Sequence, residues 1–198
     1  MKLTTAMKGE MKMKIDVYDN VLEEHNAILI NDEVRKLKWE YDYISAAGKP
    51  NLHWHALLGH NKEECVAGGY EWADNIFEFA KNTLDFKSKY GISEYERIYC
   101  NGQTFGLETH LHYDDSDSPI PPEQRYTFVF YPRLDWKAEW GGGTIIYNKD
   151  TLEIEGQTKY KGNRMVAFHG GVHPHGAAPI SRHCYDLRII VVFKCIVS

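Results

Sequence analysis

The stretch "LRIIVVFKCIV" (residues 187–197) is rich in β-branched residues and lacks both Gly and Pro, which marks it as a strand. Runs of the same texture precede it: "ERIYC" (96–100), "QRYTFVFYP" (124–132), "GTIIYN" (143–148), "TLEIEG" (151–156) and "RMVAF" (164–168). Gly, Pro, Asn and Asp separate them, so the chain beyond Gly91 reads as a series of short strands. Arg188 stands near the start of the last run. A basic group on an otherwise apolar strand requires an anionic partner, and a guanidinium offers a fork that grips a carboxylate bidentately.

The preceding part has a helical texture. Asn20-Val21-Leu22-Glu23 follows the capping-box pattern, and apolar residues at 22, 28, 30 and 34 predict a first helix over about 20–37. "GGYEWADNIFEFAKNTLDFKSKYG" (68–91) places Trp72, Ile76, Phe79 and Ala80 on one stripe and ends on Gly91, predicting a second helix. "SAAGKPNLHWHALLGHNKEE" (45–64) shows no clean period and reads as an irregular connection. Helices followed by closely spaced strands predict an α+β fold in which the helices brace an antiparallel sandwich or jelly roll.

The 198 residues suit one domain with a sizeable core. A hydrophobic share of 43% and an aromatic share of 13% exclude disordered, collagenous and low-complexity classes. The opening "MKLTTAMKGEMKMK" (1–14) lacks the apolar stretch of a leader or membrane span and is expected to be a flexible tail. Behind it, 15–198 is expected to form one domain, with a helical preface over about 15–92 and a jelly-roll core over about 93–198. A net charge of -5 disfavours a phosphate-tracking surface, so nucleic acid and membrane are not expected partners. Cys65, Cys100, Cys184 and Cys195 form no CxxC pair and are expected to be buried thiols without a catalytic role, in a cytoplasmic protein.

Ten histidines, six of them in three H-x-H pairs, direct attention to metal chemistry. In "THLHYDDSD" (109–117), an extended backbone would put His110, His112 and Asp114 on one face. Two imidazoles with one carboxylate suit a divalent ion such as Fe(II) and leave three coordination positions open. The further histidine must come from "FHGGVHPHGAAPISRHCYDLRIIVVFK" (168–194), where His169, His173, His175 and His183 are candidates that spacing does not separate. The acidic run lacks the glycine and the twelfth-position glutamate of an EF-hand loop. His53 and His55 have no neighbouring carboxylate or thiol and read as packing or surface residues. Gly141, Gly142 and Gly143 have no phosphate-loop lysine beside them and read as a tight turn or bulge.

Taken in order, these features resemble the Fe(II)- and 2-oxoglutarate-dependent oxygenases of the prolyl 4-hydroxylase type, over roughly Arg97–Lys194. "YCNGQ" is similar to the family's Tyr-x-x-Gly-Gln element, on Tyr99, Gly102 and Gln103. "HYD" is similar to its H-x-D motif, on His112 and Asp114. "WGGGTIIYN" resembles its Gly-Gly-x-Thr element, in which Thr144 would contact the cosubstrate. "HPHGAAPISR" resembles the segment carrying the distal ligand before a turn with Pro179, which implies His175. The resemblance gives Arg188 the 5-carboxylate of 2-oxoglutarate, with Tyr99 as hydrogen-bonding partner. The long link "TFGLETHL" (104–111) leaves His110 as a rival ligand, and the spacing beyond His175 leaves Arg182 as a rival for Arg188. Tyr99 and Thr144 also fit ordinary strand packing.

The resemblance implies a double-stranded β-helix, His112, Asp114 and His175 as metal ligands and catalytic residues, and Fe(II), 2-oxoglutarate and dioxygen as reactants, with ascorbate as an optional cofactor. The implied reaction is hydroxylation of a C–H bond with release of succinate and carbon dioxide. The substrate it implies is a prolyl residue of a peptide or protein, with "DDSDSPIPPEQR" (114–125) bordering the mouth. Two alternatives stand beside it. One keeps the metal centre for another amino acid or a nucleobase; the other is a non-oxidative cupin-like metal-binding protein or hydrolase, which would not need Arg188.

Overall fold

The computed structural model describes residues 15–44, 52–107 and 110–197. In chain order its elements are β1 (Asp16–Asp19), α1 (Glu24–Glu33), β2 (Glu40–Ile44), β3 (Leu52–Gly59), α2 (Lys62–Ala67), α3 (Glu71–Thr83), α4 (Phe86–Tyr90) and β4 (Arg97–Gln103). Then come β5 (Arg125–Tyr131), β6 (Thr144–Tyr147), β7 (Ile154–Thr158), β8 (Arg164–Phe168), β9 (His175–Ala177) and β10 (Arg188–Ile196). They form an antiparallel seven-stranded sheet in the order β1-β8-β5-β10-β4-β3-β2 and a three-stranded sheet β7-β6-β9. This is the double-stranded β-helix architecture, with helices covering the outer face of the large sheet.

Alternation along β10 creates the two faces. Ile189, Val191, Phe193 and Cys195 enter the core shared with α1, α3 and α4, together with Phe128 and Phe130 of β5 and Ile98 and Cys100 of β4. Ile190 and Val192 turn the other way, joining Tyr99, Val129, Tyr131, Val166 and Phe168 opposite Ile146 of the small sheet. Both faces of the strand are buried, which is why it reads as a continuous apolar run and not as an alternating one. The same alternation sends Arg188 and Lys194 to the inner face, where they line one cavity with Ile190 and Val192.

Three expectations are corrected. The first helix is shorter than 20–37: α1 runs Glu24–Glu33 and is followed by a 3-10 turn at Val34–Lys36. Asn20 adopts φ +54 and does not cap it; the N-cap is Glu23, without a side-chain bond. The stretch 68–91 holds α3 and α4 in place of one helix, because Asp85 at φ +52 breaks the helical path. Gly91 does close α4, in the left-handed conformation at φ +70. The described part of 45–64 is β3 and the start of α2 rather than irregular chain. β3 pairs with β4 (Trp54↔Gly102, His55↔Asn101), so a sheet edge supplies the backbone bonds that its local sequence does not advertise. The expected tail over 1–14 lies outside the described residues.

The Phe193 ring is fully buried, with centroids 5.4 Å from Phe77 and 5.9 Å from Tyr95. Phe193→Ala is expected to cost about 3–5 kcal/mol in urea unfolding. A loss below about 1 kcal/mol would contradict helix packing on this face of β10.

Candidate metal and cosubstrate site

An isolated bridge joins the segment after β4 to β9: His112 N–H donates to His175 O at 3.2 Å, and His175 N–H donates to His112 O at 3.0 Å. Asp114 N–H donates to Gly170 O at 2.9 Å. These backbone bonds, not a continuous strand, bring His112, Asp114 and His175 together, with one potential ligand atom of each within 4.8 Å of the others. His112 Nε2 lies 3.6 Å from Asp114 Oδ1, and His175 Nε2 lies 3.4 Å from Asp114 Oδ2.

The imidazole tautomers follow from the backbone. His112 Nδ1 is 2.8 Å from His110 O, and His175 Nδ1 is 2.9 Å from His173 O. A carbonyl only accepts, so each Nδ1 carries the hydrogen and each neutral ring turns an Nε2 lone pair toward the carboxylate. Burial lowers the His175 basicity, with the Asp114 charge opposing, which keeps that ring on the neutral side. Burial alone would raise the Asp114 carboxyl; the charge of Lys194 outweighs it and holds the carboxyl well below the usual carboxylate range. Three electron-pair donors converging in a buried pocket fit a divalent cation. Thr127 Oγ1 donates to Asp114 Oδ2 at 2.6 Å and fixes the carboxylate rotamer.

Arg188 lines the same cavity and is 1% exposed. Its Nη1 donates to Gln103 Oε1 at 2.6 Å, its cross-strand partner, and its Nε donates to Gly142 O. Among the described residues no carboxylate lies within ion-pair distance of it. A buried guanidinium held only by neutral acceptors is prepared for an anion, and burial lowers its basicity accordingly. Gly142 at φ +77 brings its carbonyl against the Arg188 side chain, and a Cβ there would stand 2.9 Å from Arg188 Cδ. Thr144, on the cavity wall, shares a 2.6 Å hydrogen bond through Oγ1 with Oη of the buried Tyr131 behind it, and Tyr99, 6% exposed, closes another side.

The family described as "2OG-Fe(II) oxygenase superfamily" matches residues 93–193, which contain every residue of this constellation but Lys194. The chain belongs to that superfamily. Iron(II) and 2-oxoglutarate are therefore its metal and cosubstrate, and the family's reaction class is that of a 2-oxoglutarate-dependent dioxygenase. Among curated proteins none matches at a significant level. The fold is similar to a Pseudomonas putida prolyl-4-hydroxylase, at TM-score 0.63 and 13% identity over 94% of each chain. A Trichoplax adhaerens prolyl hydroxylase, in complex with a hypoxia inducible factor oxygen degradation domain peptide fragment, gives TM-score 0.62 and 14% identity over 94% of this chain and 84% of that one. A viral collagen prolyl hydroxylase of Paramecium Bursaria Chlorella virus-1 gives 0.59 and 18%, over 94% and 98%. At such identities these likenesses concern the fold.

Of the rivals, His110 contributes its carbonyl to His112 and is not part of the three-residue cluster, and Arg182 lies exposed in the turn before β10. His173 pairs at 3.4 Å with Glu155, and His53 packs edge-on to Tyr43 at 5.3 Å. His55 Nδ1 is 2.9 Å from Asn101 Oδ1, and the ring stacks on Tyr43. Cys65, Cys100 and Cys195 are buried as expected, but Cys184 is partly exposed. Sequence reasoning missed Thr127, Tyr131 and Lys194. Each sits at an inner-face position of a strand, and strand alternation counted from Arg188 would have put Lys194 on the cavity side.

Gly170 faces Asp114 so closely that an added Cβ would collide with Asp114 Oδ2 and Thr127 Oγ1. Gly170→Ala is expected to weaken Mn(II) binding at least about tenfold in calorimetric titration while the circular dichroism stays native. Unchanged affinity would contradict the positioning of Asp114 by this contact.

Proposed function

We propose that His112 and His175, through Nε2, and Asp114, through its carboxylate, hold the iron, and that Arg188 takes the 5-carboxylate of 2-oxoglutarate with Tyr99 and Thr144 beside it. The observation that carries the assignment is the sharing of one cavity by a converging His-Asp-His set and a buried arginine that has no acidic partner among the described residues. Iron, 2-oxoglutarate and dioxygen together supply hydroxylation of a C–H bond, with release of succinate and carbon dioxide. The chain's own work is to orient and to exclude water. The two Nδ1–H bonds to backbone carbonyls hold the imidazoles, Thr127 holds the carboxylate, and Gln103 and Gly142 hold the guanidinium.

As substrate we propose a prolyl residue of a peptide or protein. The likeness in fold to three prolyl hydroxylases supports this, as does the proline-bearing loop after Asp114. Asp115, Ser118 and Ile120 of that loop line a second cavity, which shares Thr127 and Lys194 with the metal cavity. The free cysteines fit a reducing cytoplasm, and no described helix is long and apolar enough to cross a membrane. We take 15–198 as one domain.

The test is succinate formation from 2-oxoglutarate with Fe(II), dioxygen and proline-containing peptides, together with the mass gain of one oxygen atom on the peptide. Arg188→Ala is expected to raise the 2-oxoglutarate KM at least about tenfold, and His175→Ala to abolish turnover. Oxidation of free amino acids but of no peptide would overturn the substrate assignment and leave the centre standing. Normal 2-oxoglutarate KM in Arg188→Ala would overturn the role given to Arg188.

A further inference from the structure

Lys194 is the sixth residue after Arg188 on the inner face of β10, opposite Arg97 on β4 and Thr127 on β5. It is 6% exposed. Its Nζ contacts Asp114 Oδ1 and lies 3.5 Å from Thr127 Oγ1. The ammonium therefore stands on a carboxylate that the iron reading, on which this inference rests, assigns to the metal. We propose that Lys194 is the built-in counter-ion of the metal-free site, a cation that a divalent metal must displace from Asp114, and that it thereby sets the affinity and the exchange of the metal.

Three observations support this. The oxygen that Lys194 contacts, Asp114 Oδ1, is also the one nearer to His112 Nε2, at 3.6 Å, while His175 Nε2 lies 3.4 Å from Oδ2, so the ammonium stands on a carboxylate oxygen that faces one of the two imidazoles. Without a cation, two Nε2 lone pairs and a buried carboxylate would face one another with nothing between them, a costly arrangement that the ammonium relieves. Lys194 also has somewhere to go. It lines both the metal cavity and the neighbouring cavity of about 230 Å³, whose walls carry Glu96 and Asp115. Asp115 is already paired at 2.6 Å with Arg97, and Arg125 donates to the Asp114 and Asp115 carbonyls, which leaves Glu96 as the carboxylate a displaced ammonium would meet. Two cations cannot share one buried carboxylate without mutual repulsion, so the metal's affinity carries the cost of moving the lysine.

The experiment titrates Mn(II) anaerobically into metal-free protein by calorimetry and records metal-free melting curves, for the wild type and for Lys194→Gln, Lys194→Met and Lys194→Arg. The neutral variants are expected to bind Mn(II) at least about tenfold more tightly and to melt at lower temperature without metal, with excess Mn(II) narrowing the difference. Lys194→Arg, which keeps the charge, is expected to bind within about threefold of the wild type. Lys194→Gln is closest to lysine in length and carries the test if Lys194→Met does not fold. Neutral variants that bind Mn(II) no more tightly than the wild type would overturn the inference while leaving the metal site intact. Absence of Mn(II) binding in the wild type and in every variant would overturn the site assignment itself, and with it this role of Lys194.

Discussion

Asp114 is a carboxylate kept charged inside a protein, and the rest of the site is arranged around the cost of keeping it so. Burial opposes its ionisation; the Lys194 charge outweighs burial, Thr127 donates a hydrogen bond, and His112 and His175 complete its surroundings. Each of those groups comes from a different place in the chain. Thr127 stands on β5 and Lys194 on β10, His175 opens β9, and His112 lies in the segment between β4 and β5. Backbone bonds from Asp114 to Gly170 and between His112 and His175 tie that segment to the two sheets. The closure of the double-stranded β-helix is thus what allows a charged oxygen to face two imidazole lone pairs.

The large sheet makes that closure rigid by being packed on both sides. Odd-numbered residues of β10 meet the helices, and even-numbered residues meet the cavity and the small sheet. A slip of one residue in its register would exchange Arg188 for Ile189 in the cavity and place a guanidinium against the helix core. The turn before β10 is anchored separately. Arg133, 1% exposed, donates to the Leu187 carbonyl at 3.0 Å and pairs with Asp135 and Asp186. Arg188, the residue proposed to meet the anion, and the register that presents it are therefore held by different interactions.

Much of this was legible in the residues. The C-terminal strands announced themselves because strands buried on both faces are apolar throughout, and the resemblance assembled His112, Asp114, His175 and Arg188 from segments far apart in the sequence. What was hidden depended on partners. "HWH" at 53–55 looked irregular because its strand character comes from pairing with β4, not from its own alternation. The break at Asp85 was hidden because a left-handed aspartate leaves no mark on the helical stripe. Lys194 escaped because one lysine at the end of an apolar strand looks like a solvated terminus until the opposite strand, with Arg97, is known.

The central claim is that one cavity holds iron at one place and the far carboxylate of 2-oxoglutarate at another. The most direct measurement is the anaerobic visible spectrum of the Fe(II)-loaded protein before and after 2-oxoglutarate, with His175→Ala alongside. A metal-to-ligand charge-transfer band that develops only when the cosubstrate is added, and that is missing in the variant, is the predicted result. Tightly bound iron that develops no such band with saturating 2-oxoglutarate would contradict the account.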